Sequence, residues 1–385
     1  MSNIYEQFGV PTIINGVGYA TRVAGSCPDE TVIEAMAEAS RAYVEIDDLE
    51  AAASQLIAER TGADAGLVTC GAAGSLSLAA AACLCGNDPN RMDALPDTTD
   101  FDRDEIIYPV PGPYDYDHPI RVSGAKLITL DYNADDALGH IADAINPRTA
   151  AIGYMWLRTE ERPAIDELAQ LAHDQGLPLI VDGAMSLPPR ENLHRFIDLG
   201  ADLVAVSGGK HIGGPQASGI LAGREDLIRS AWVQMVDMDV RRETWSLKKL
   251  LDEGWISRPP GHGIGRSMKT SKEQIVGLMT ALQRYPNRDH HAELCTWHEH
   301  IDTLLDGLRN IETLHPRKHF PAPNGQPWPY LELRAGPALR RRLRERRIIL
   351  AESERDPDVA YVSPTGLHDG DAATIVQALH EELAC

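Results

Sequence analysis

A chain of 385 residues with 43% hydrophobic residues is long enough for one large domain and a smaller one, and too apolar for global disorder. Its net charge of −21 excludes a broad basic face for nucleic acid and disfavours docking on an anionic membrane. Its six cysteines show no paired zinc-ligand spacing, and a chain of this size needs no disulfide staples.

Residues 1–7 lack the basic and apolar segments of a signal peptide, and no apolar run is long enough to span a bilayer, so a cytoplasmic location is expected. Pro28-Asp29-Glu30 opens a predicted helix that carries Val32, Ile33, Met36 and Tyr43 at helical spacing. Residues 65–70 read as a strand, and 72–85 as an alanine-rich helix stopped by Gly86-Asn87. Cys83 and Cys85 flank one leucine on that helix and read as small buried hydrophobes. The acidic stretch 88–105 reads as a surface excursion. Strands follow at 106–110, 126–130 and 150–156, then a helix over 164–175 with Ile165, Leu168, Leu171 and Ala172 on one face. Strands at 179–182, 202–206 and 219–222 complete an alternation that predicts a mostly parallel sheet sandwiched by helices. The link 208–218 is too short for a crossover helix, so the strand 219–222 is expected antiparallel to the one before it. From about residue 270 the texture changes to helices over 271–285 and 289–309, short strands near 330–333 and 348–351, and a final helix over 371–383. The reading is therefore an arm over 1–27, a large domain over 28–268 and a small α/β domain over 269–385.

Three strand-to-turn junctions carry chemistry. The first is Gly71-Ala72-Ala73-Gly74-Ser75, which leaves a strand and opens a helix, so its backbone N–H groups and the helix dipole form an anion site. Tight strand–helix packing also uses small residues there. The second is Asp182, which ends an apolar strand where parallel sheets place their ligand crevice; its structural alternative is a helix N-cap, which Pro188-Pro189 disfavours. The third is Lys210, on the glycine-rich turn that follows strand 202–206, where a plain surface lysine is the alternative. A phosphate cradle, an anion for a pyridinium nitrogen and an amine for an aldehyde, in that order, are what pyridoxal phosphate needs. Ser207 can add a hydroxyl to the same phosphate.

Other groups carry weaker signals. Arg266 and Lys269 lie on a glycine-rich loop before a helix and can bind an anion, or can be ordinary solvated charges. Tyr114-Asp115-Tyr116-Asp117-His118 is a polar-aromatic cluster in which Tyr116 or His118 can stack on a ring or serve as acid or base. His290, His291, His298 and His300 lack a metal-binding pattern and read as surface histidines.

These blocks together resemble the fold-type-I pyridoxal-phosphate enzymes, in the selenocysteine synthase-like branch, and within it the D-glucosaminate-6-phosphate ammonia-lyase group. The resemblance rests on Ile14-Asn15-Gly16, on Thr69-Cys70-Gly71-Ala72-Ala73, on Val181-Asp182-Gly183-Ala184 with Leu187-Pro188-Pro189-Arg190, and on Gly200-Ala201-Asp202 running through Lys210 to Gly219. Gly265-Arg266 with Met268-Lys269 is also typical. It implies an aspartate aminotransferase-like α/β fold with a seven-stranded, mostly parallel sheet and a smaller C-terminal domain. It implies Lys210 as the cofactor-carrying lysine, Asp182 as the pyridinium partner, residues 71–75 as the phosphate cup, and a homodimer or higher oligomer with shared active sites. Two positions depart from the group: Gly74 stands where alanine is expected, and so does Gly183.

The function expected is a lyase. Lys210 abstracts the α-proton of an amino acid or amino-sugar acid, a β-substituent leaves, and a 2-oxo acid and ammonia result. His118, Tyr116 and His211 are the candidates for the acid, and Arg22, Arg266 and Lys269 can meet substrate anions. Racemisation, aldol cleavage and transamination use the same residues and stay open. A transfer-RNA substrate is disfavoured by the charge of −21, and a non-catalytic relative by the intact Lys210 and Asp182.

Overall fold

The computed structural model describes residues 4–110, 115–131, 136–156, 163–236, 239–322 and 325–384. The chain forms two compact units, one of Cys27–Pro286 and one of Met1–Ser26 with Asn287–Cys385.

The large unit is built on a seven-stranded sheet. Its strands run in the spatial order Ala65–Thr69, Gly219–Gly223, Leu203–Ser207, Leu179–Asp182, Thr149–Met155, Glu105–Pro109 and Lys126–Leu130. All neighbours pair in parallel except Gly219–Gly223, which is antiparallel to both strands beside it. Both faces are covered. Val204 and Val206 enter one core with Val181, Ile152 and Ile107, while Leu203 and Ala205 enter another with Ile180, Ala151 and Ile106. That double burial is why these segments read as unbroken apolar runs. The helix Ala72–Cys85 is buried along nearly its whole length, and its alanines let it lie close on the sheet. Burial pushes the Cys85 thiol up to about 12 and raises Cys83 as well, so both behave as small apolar side chains.

The strand Ala65–Thr69 lies at the sheet's edge and carries outward N–H groups. The helix Ile46–Thr61, which the sequence reading does not anticipate, satisfies two of them. Ser54 Oγ accepts from Gly66 N at 3.0 Å, and Glu50 Oε2 accepts from Val68 N at 3.1 Å. Residues four apart on a helix are separated by about 6 Å, and residues two apart on a strand by about 6.6 Å, so the two ladders match. Gly66 also makes room for Ile57, whose Cγ2 lies 2.2 Å from where a Cβ would stand.

Asp202, one of the motif residues, is structural. Its carboxylate accepts from Leu179 N at 2.8 Å and from Arg224 at 3.0 Å, and it meets His173 Nε2 at 2.9 Å, which ties three elements together at the start of the strands.

Three expectations are corrected. The first helix of this unit is Glu30–Ala39, so Tyr43 lies beyond it and is fully exposed, and Ile33 is also exposed; only Val32 of that helix is buried. The stretch 88–105 is not a mere surface excursion. Asp88 caps the helix Pro89–Ala94, Met92 and Phe101 enter the core, and the fully buried Asp104 pairs with Lys126 and Arg148. The helix Lys272–Arg284 packs on the helices Glu30–Ala39 and Ile46–Thr61, so the large unit runs on to Pro286 rather than ending at 268.

The small unit has a five-stranded sheet in the order Ile14–Gly16, Ile348–Glu352, Val359–Val362, Tyr330–Arg334 and Arg317–His319. Only the first pair is parallel. The N-terminal arm is thus an edge strand of this sheet. Asn15 shapes the turn after it: its Oδ1 accepts from Val17 N at 2.9 Å and Gly18 N at 3.1 Å. Among the described residues no helix is long and apolar enough to cross a membrane.

Replacing Gly66 by Ala drives a methyl into Ile57 and is expected to cost about 1–3 kcal/mol in chemical denaturation. The double variant with Ile57→Val should recover part of that loss.

Candidate active site

The lysine turn is held by its own backbone. Gly208 N donates to Ser218 O at 2.9 Å, Gly214 N to Gly208 O at 2.9 Å, and Gly213 N to Lys210 O at 2.9 Å. Gly209 cannot be another residue without rebuilding this loop, because its Cβ would stand 2.3 Å from Gln216 Cα. Lys210 is partly buried, and burial pulls its amine below the ordinary lysine range, against the opposing pull of Asp182.

Asp182 ends the neighbouring strand and is 8% exposed. Its Oδ1 accepts from Ala184 N at 3.0 Å. Burial raises its pKa, while that N–H and the Lys210 charge work the other way. A buried carboxylate whose charged neighbour among the described residues is one lysine is a ready partner for a second cation, such as a ring N–H⁺.

The glycine cup follows strand Ala65–Thr69. Gly71 has φ +122°, which glycine adopts readily, and as the N-cap of Ala72–Cys85 it has no side chain to cap the helix. The first amides of that helix, at Ala72, Ala73 and Gly74, therefore have no partner from their own cap and suit an oxyanion. Thr69 Oγ1 braces the turn by bonding Gly71 O at 3.0 Å and Ser75 Oγ at 2.7 Å. In the sheet register Gly219 lies between Thr69 and Ser207. A Cβ on Gly219 would stand 2.4 Å from Gly71 C and 2.7 Å from Ala72 N, so the turn passes directly over that strand end. The cup, Ser207, Lys210 and Asp182 are thereby gathered at one end of the sheet.

The departure at Gly74 has a local explanation: a Cβ there would lie 2.9 Å from Cys70 Sγ. The cysteine thiol takes up the space that an alanine methyl would need. At Gly183 a Cβ would meet Phe196 at 3.2 Å, and its N donates to Ala205 O at 2.9 Å, so this position too is set by packing under the site.

The remaining predicted residues are placed as follows. Tyr116 and His118 are exposed, and Tyr114 lies outside the described residues. The helix His118–Val122 is tied to the cup's helix by Ser77 Oγ donating to Pro119 O at 2.6 Å. His211 is buried beside Lys210, with Nδ1 2.8 Å from Tyr285 Oη. Arg266 is half-buried and Lys269 exposed, on a segment whose Gly265 packs against Leu78 of the cup's helix. Arg22 is exposed on the small unit. Sequence reasoning did not single out Glu50, buried at the edge strand, whose carboxyl burial pushes up to about 8 against the Val68 N–H bond. The acidic run Glu45–Glu50 concealed it among solvated charges.

Gly219→Ala is expected to lift the cup from the strand end and weaken binding of pyridoxal phosphate by about tenfold or more, measured by fluorescence titration, while circular dichroism keeps the fold signal.

Comparison with known proteins agrees with this geometry. Residues 121–242 match the family model of class-V aminotransferases. The chain is 30% identical over 290 residues to the D-glucosaminate-6-phosphate ammonia lyase of Salmonella typhimurium, covering 74% of this chain and 70% of that one. It is also 30% identical over 290 residues to a 5'-C-glycyluridine monooxygenase-decarboxylase of a Streptomyces species, covering 73% of this chain and 65% of that protein. A solved D-glucosaminate-6-phosphate ammonia-lyase superposes with a TM-score of 0.79 at 25% identity, over 100% of this chain and 98% of that one. The chain therefore belongs to the fold-type-I, pyridoxal-phosphate-dependent enzyme family that includes D-glucosaminate-6-phosphate ammonia-lyase.

Proposed function

We propose that this enzyme is an ammonia-lyase acting on a small amino acid or amino-sugar acid that carries a β-hydroxyl. The cofactor part of this reading is carried by the buried Asp182 and the partly buried Lys210 beside a glycine-capped helix N-terminus, and the lyase part by the likeness to the Salmonella ammonia lyase. That donor set fits pyridoxal phosphate: amides at 72–74 and Ser207 for its phosphate, Asp182 for its ring nitrogen, Lys210 for its aldehyde. When bound, the cofactor draws electrons from the substrate's α-carbon.

The chain's own residues do the rest. Lys210, kept toward its neutral form by burial, takes the α-proton. The leaving hydroxyl needs a proton as its C–O bond breaks, and Tyr116 and His118 are the groups assigned to supply it. Loss of water and its re-addition to the freed enamine leave a 2-oxo acid and ammonia, so ammonia alone departs from the net formula. Arg266, Lys269 and Arg22 are assigned to the substrate's anionic groups. The reading includes a homodimer or higher homo-oligomer with shared active sites, no nucleic-acid partner, and a cytoplasmic location.

A second reading has one observation behind it. The Streptomyces relative, matched at the same 30% identity, is by name a monooxygenase-decarboxylase. That chemistry breaks a bond to carboxylate carbon rather than to hydrogen.

Two experiments separate these. Protein purified with pyridoxal phosphate should show a near-visible absorption band that borohydride abolishes and Lys210→Ala lacks; no band in the wild type would end the family assignment of Lys210. Asp182→Asn should keep the band and lose activity by about a hundredfold or more. A panel of 3-hydroxy-2-amino acids and amino-sugar acids should then release ammonia and 2-oxo acid in equal amounts. Carbon dioxide release with oxygen uptake would instead establish the second reading.

A further inference from the structure

Beside the cup's helix, within the large unit, lies a cavity of about 160 Å³ whose polar lining is Asp47, Glu50, Trp232, Arg266, Lys269 and Thr270. Two of these are buried and carry atoms with no hydrogen-bond partner: Glu50 Oε1, on a residue 2% exposed, and Thr270 Oγ1, on a residue 7% exposed. A buried polar atom without a partner is costly, and a pocket bearing two of them is shaped for a polar ligand.

The charges around the cavity decide which ligand. Both oxygens of Asp47 are engaged, Oδ1 by Trp232 Nε1 at 3.3 Å and Oδ2 by Ser246 Oγ. Arg266, within the Ile264–Met268 turn, and Lys269, just after it, bring two cations. Strand Ala65–Thr69 has no ionisable side chain, and the Trp232–Val236 turn contributes only apolar and indole groups to the lining. On the helix Lys272–Arg284, which packs on the Glu50 helix, Lys272 turns its amine to Ala39 O and Glu273. Glu50 is the group at the cavity that burial moves toward neutrality. Its Oε2 is fixed by Val68 N, which leaves Oε1 as the atom facing the cavity's contents.

We infer that this cavity is an oxyanion site whose occupancy is set by the proton on Glu50. With the proton in place, Oε1–H, Thr270 O–H, Arg266 and Lys269 supply donors for a sulfate-, phosphate- or carboxylate-type group, while both Asp47 oxygens are held by Trp232 and Ser246. Without it, Oε1 has no hydrogen to donate and the Glu50 carboxylate repels that group. The inference rests on the anion role proposed above for Arg266 and Lys269 and adds to it the residue that controls it. Burial is the leading reason that Glu50 holds its proton up to about pH 8, with the Asp47 charge adding to it and the Val68 N–H opposing. Binding that needs the protonated form weakens as that form is depleted, by about tenfold at pH 9.

Sulfate is the probe, because its charge does not change over this range. It is titrated by calorimetry into cofactor-loaded protein at pH 6.5 and pH 9, in wild type, Glu50→Gln, Thr270→Val and Arg266→Ala. The expected result is a wild-type dissociation constant about tenfold weaker at pH 9, no such difference in Glu50→Gln, a weaker but still pH-dependent constant in Thr270→Val, and loss of binding in Arg266→Ala at both pH values. Equal wild-type affinity at the two pH values overturns the proposal, as does a Glu50→Gln variant that keeps the wild-type pH dependence or a wild type that binds no sulfate. Should Glu50→Gln not fold, the wild-type pair of pH values and Thr270→Val still decide it. The Lys210 absorption band, read on the same samples, reports on the proposed enzyme function independently of the sulfate result.

Discussion

The turn that leaves strand Ala65–Thr69 must cross over the end of the strand beside it, and the site depends on that crossing. It is possible only because Gly219 has no side chain; any Cβ there would overlap the backbone of Gly71 and Ala72. The direction of the Gly219–Gly223 strand matters as much. Being antiparallel, it begins at the end of the sheet where Ala65–Thr69 and Leu203–Ser207 finish. A parallel strand would need a crossover of a dozen or more residues and would carry the chain to the opposite end before returning. The short loop that joins Leu203–Ser207 to Gly219–Gly223 stays where it starts, so Lys210 is held next to the cup and beside Asp182.

Gathering these groups has an electrostatic cost. Asp182 and Glu50 are raised and Lys210 is lowered, all chiefly by loss of water. The linkage runs in two directions. For the two carboxyls, the stability associated with the bound proton is complete below their unfolded-state values and is lost as pH rises toward their folded ones; for Glu50 that window is about pH 4.5 to 8. For Lys210 the folded value lies below the unfolded one, so its contribution is lost as pH falls. A phosphorylated, ring-protonated cofactor supplies an anion to the uncapped helix and a cation to Asp182. The uncapped amides and Asp182 are thus groups that a ligand of that kind stabilises.

Much of this architecture was legible in the sequence because doubly buried strands leave unbroken apolar runs. The strand at 179–182 and the helix Ala72–Cys85 are found where those runs and the Gly86 stop place them. The placement of Asp182 at a strand end and of Lys210 on the turn after Leu203–Ser207 was legible in the sequence. What was not legible is where an apolar signal is sparse or shared. Helix Ile46–Thr61 begins with four acidic residues in its first five positions or just before them, and its buried face rests on Glu50, Ala53, Ile57 and Thr61, of which Ile57 alone is a large apolar side chain. The stretch after Asp88 looks solvated because Met92 and Phe101 are isolated among carboxylates, yet those two residues and the Asp104 ion pairs anchor it. Tyr43 continues a helical spacing past the point where the helix ends at Ala39, and periodicity alone carries no information on that stop. Strands Ile14–Gly16 and Arg317–His319 are three residues long, too short to show alternation.

The match at equal identity to an ammonia lyase and to a monooxygenase-decarboxylase bears on what kind of residue chooses the reaction. Lys210, Asp182 and the cup are fixed by backbone geometry that any reaction on this cofactor requires, and they therefore cannot discriminate between breaking a bond to hydrogen and breaking one to carboxylate. Choice must come from groups that hold one substrate bond perpendicular to the ring, which means side chains that grip the substrate's anionic ends. In this chain the cations in the large unit assigned to that task, Arg266 and Lys269, line a cavity they share with a carboxyl that titrates near pH 8. On the reading proposed above, the two parts of the site differ in physical character: a rigid cradle built from glycines and strand ends, and an anion grip built from side chains whose charge balance one proton can alter.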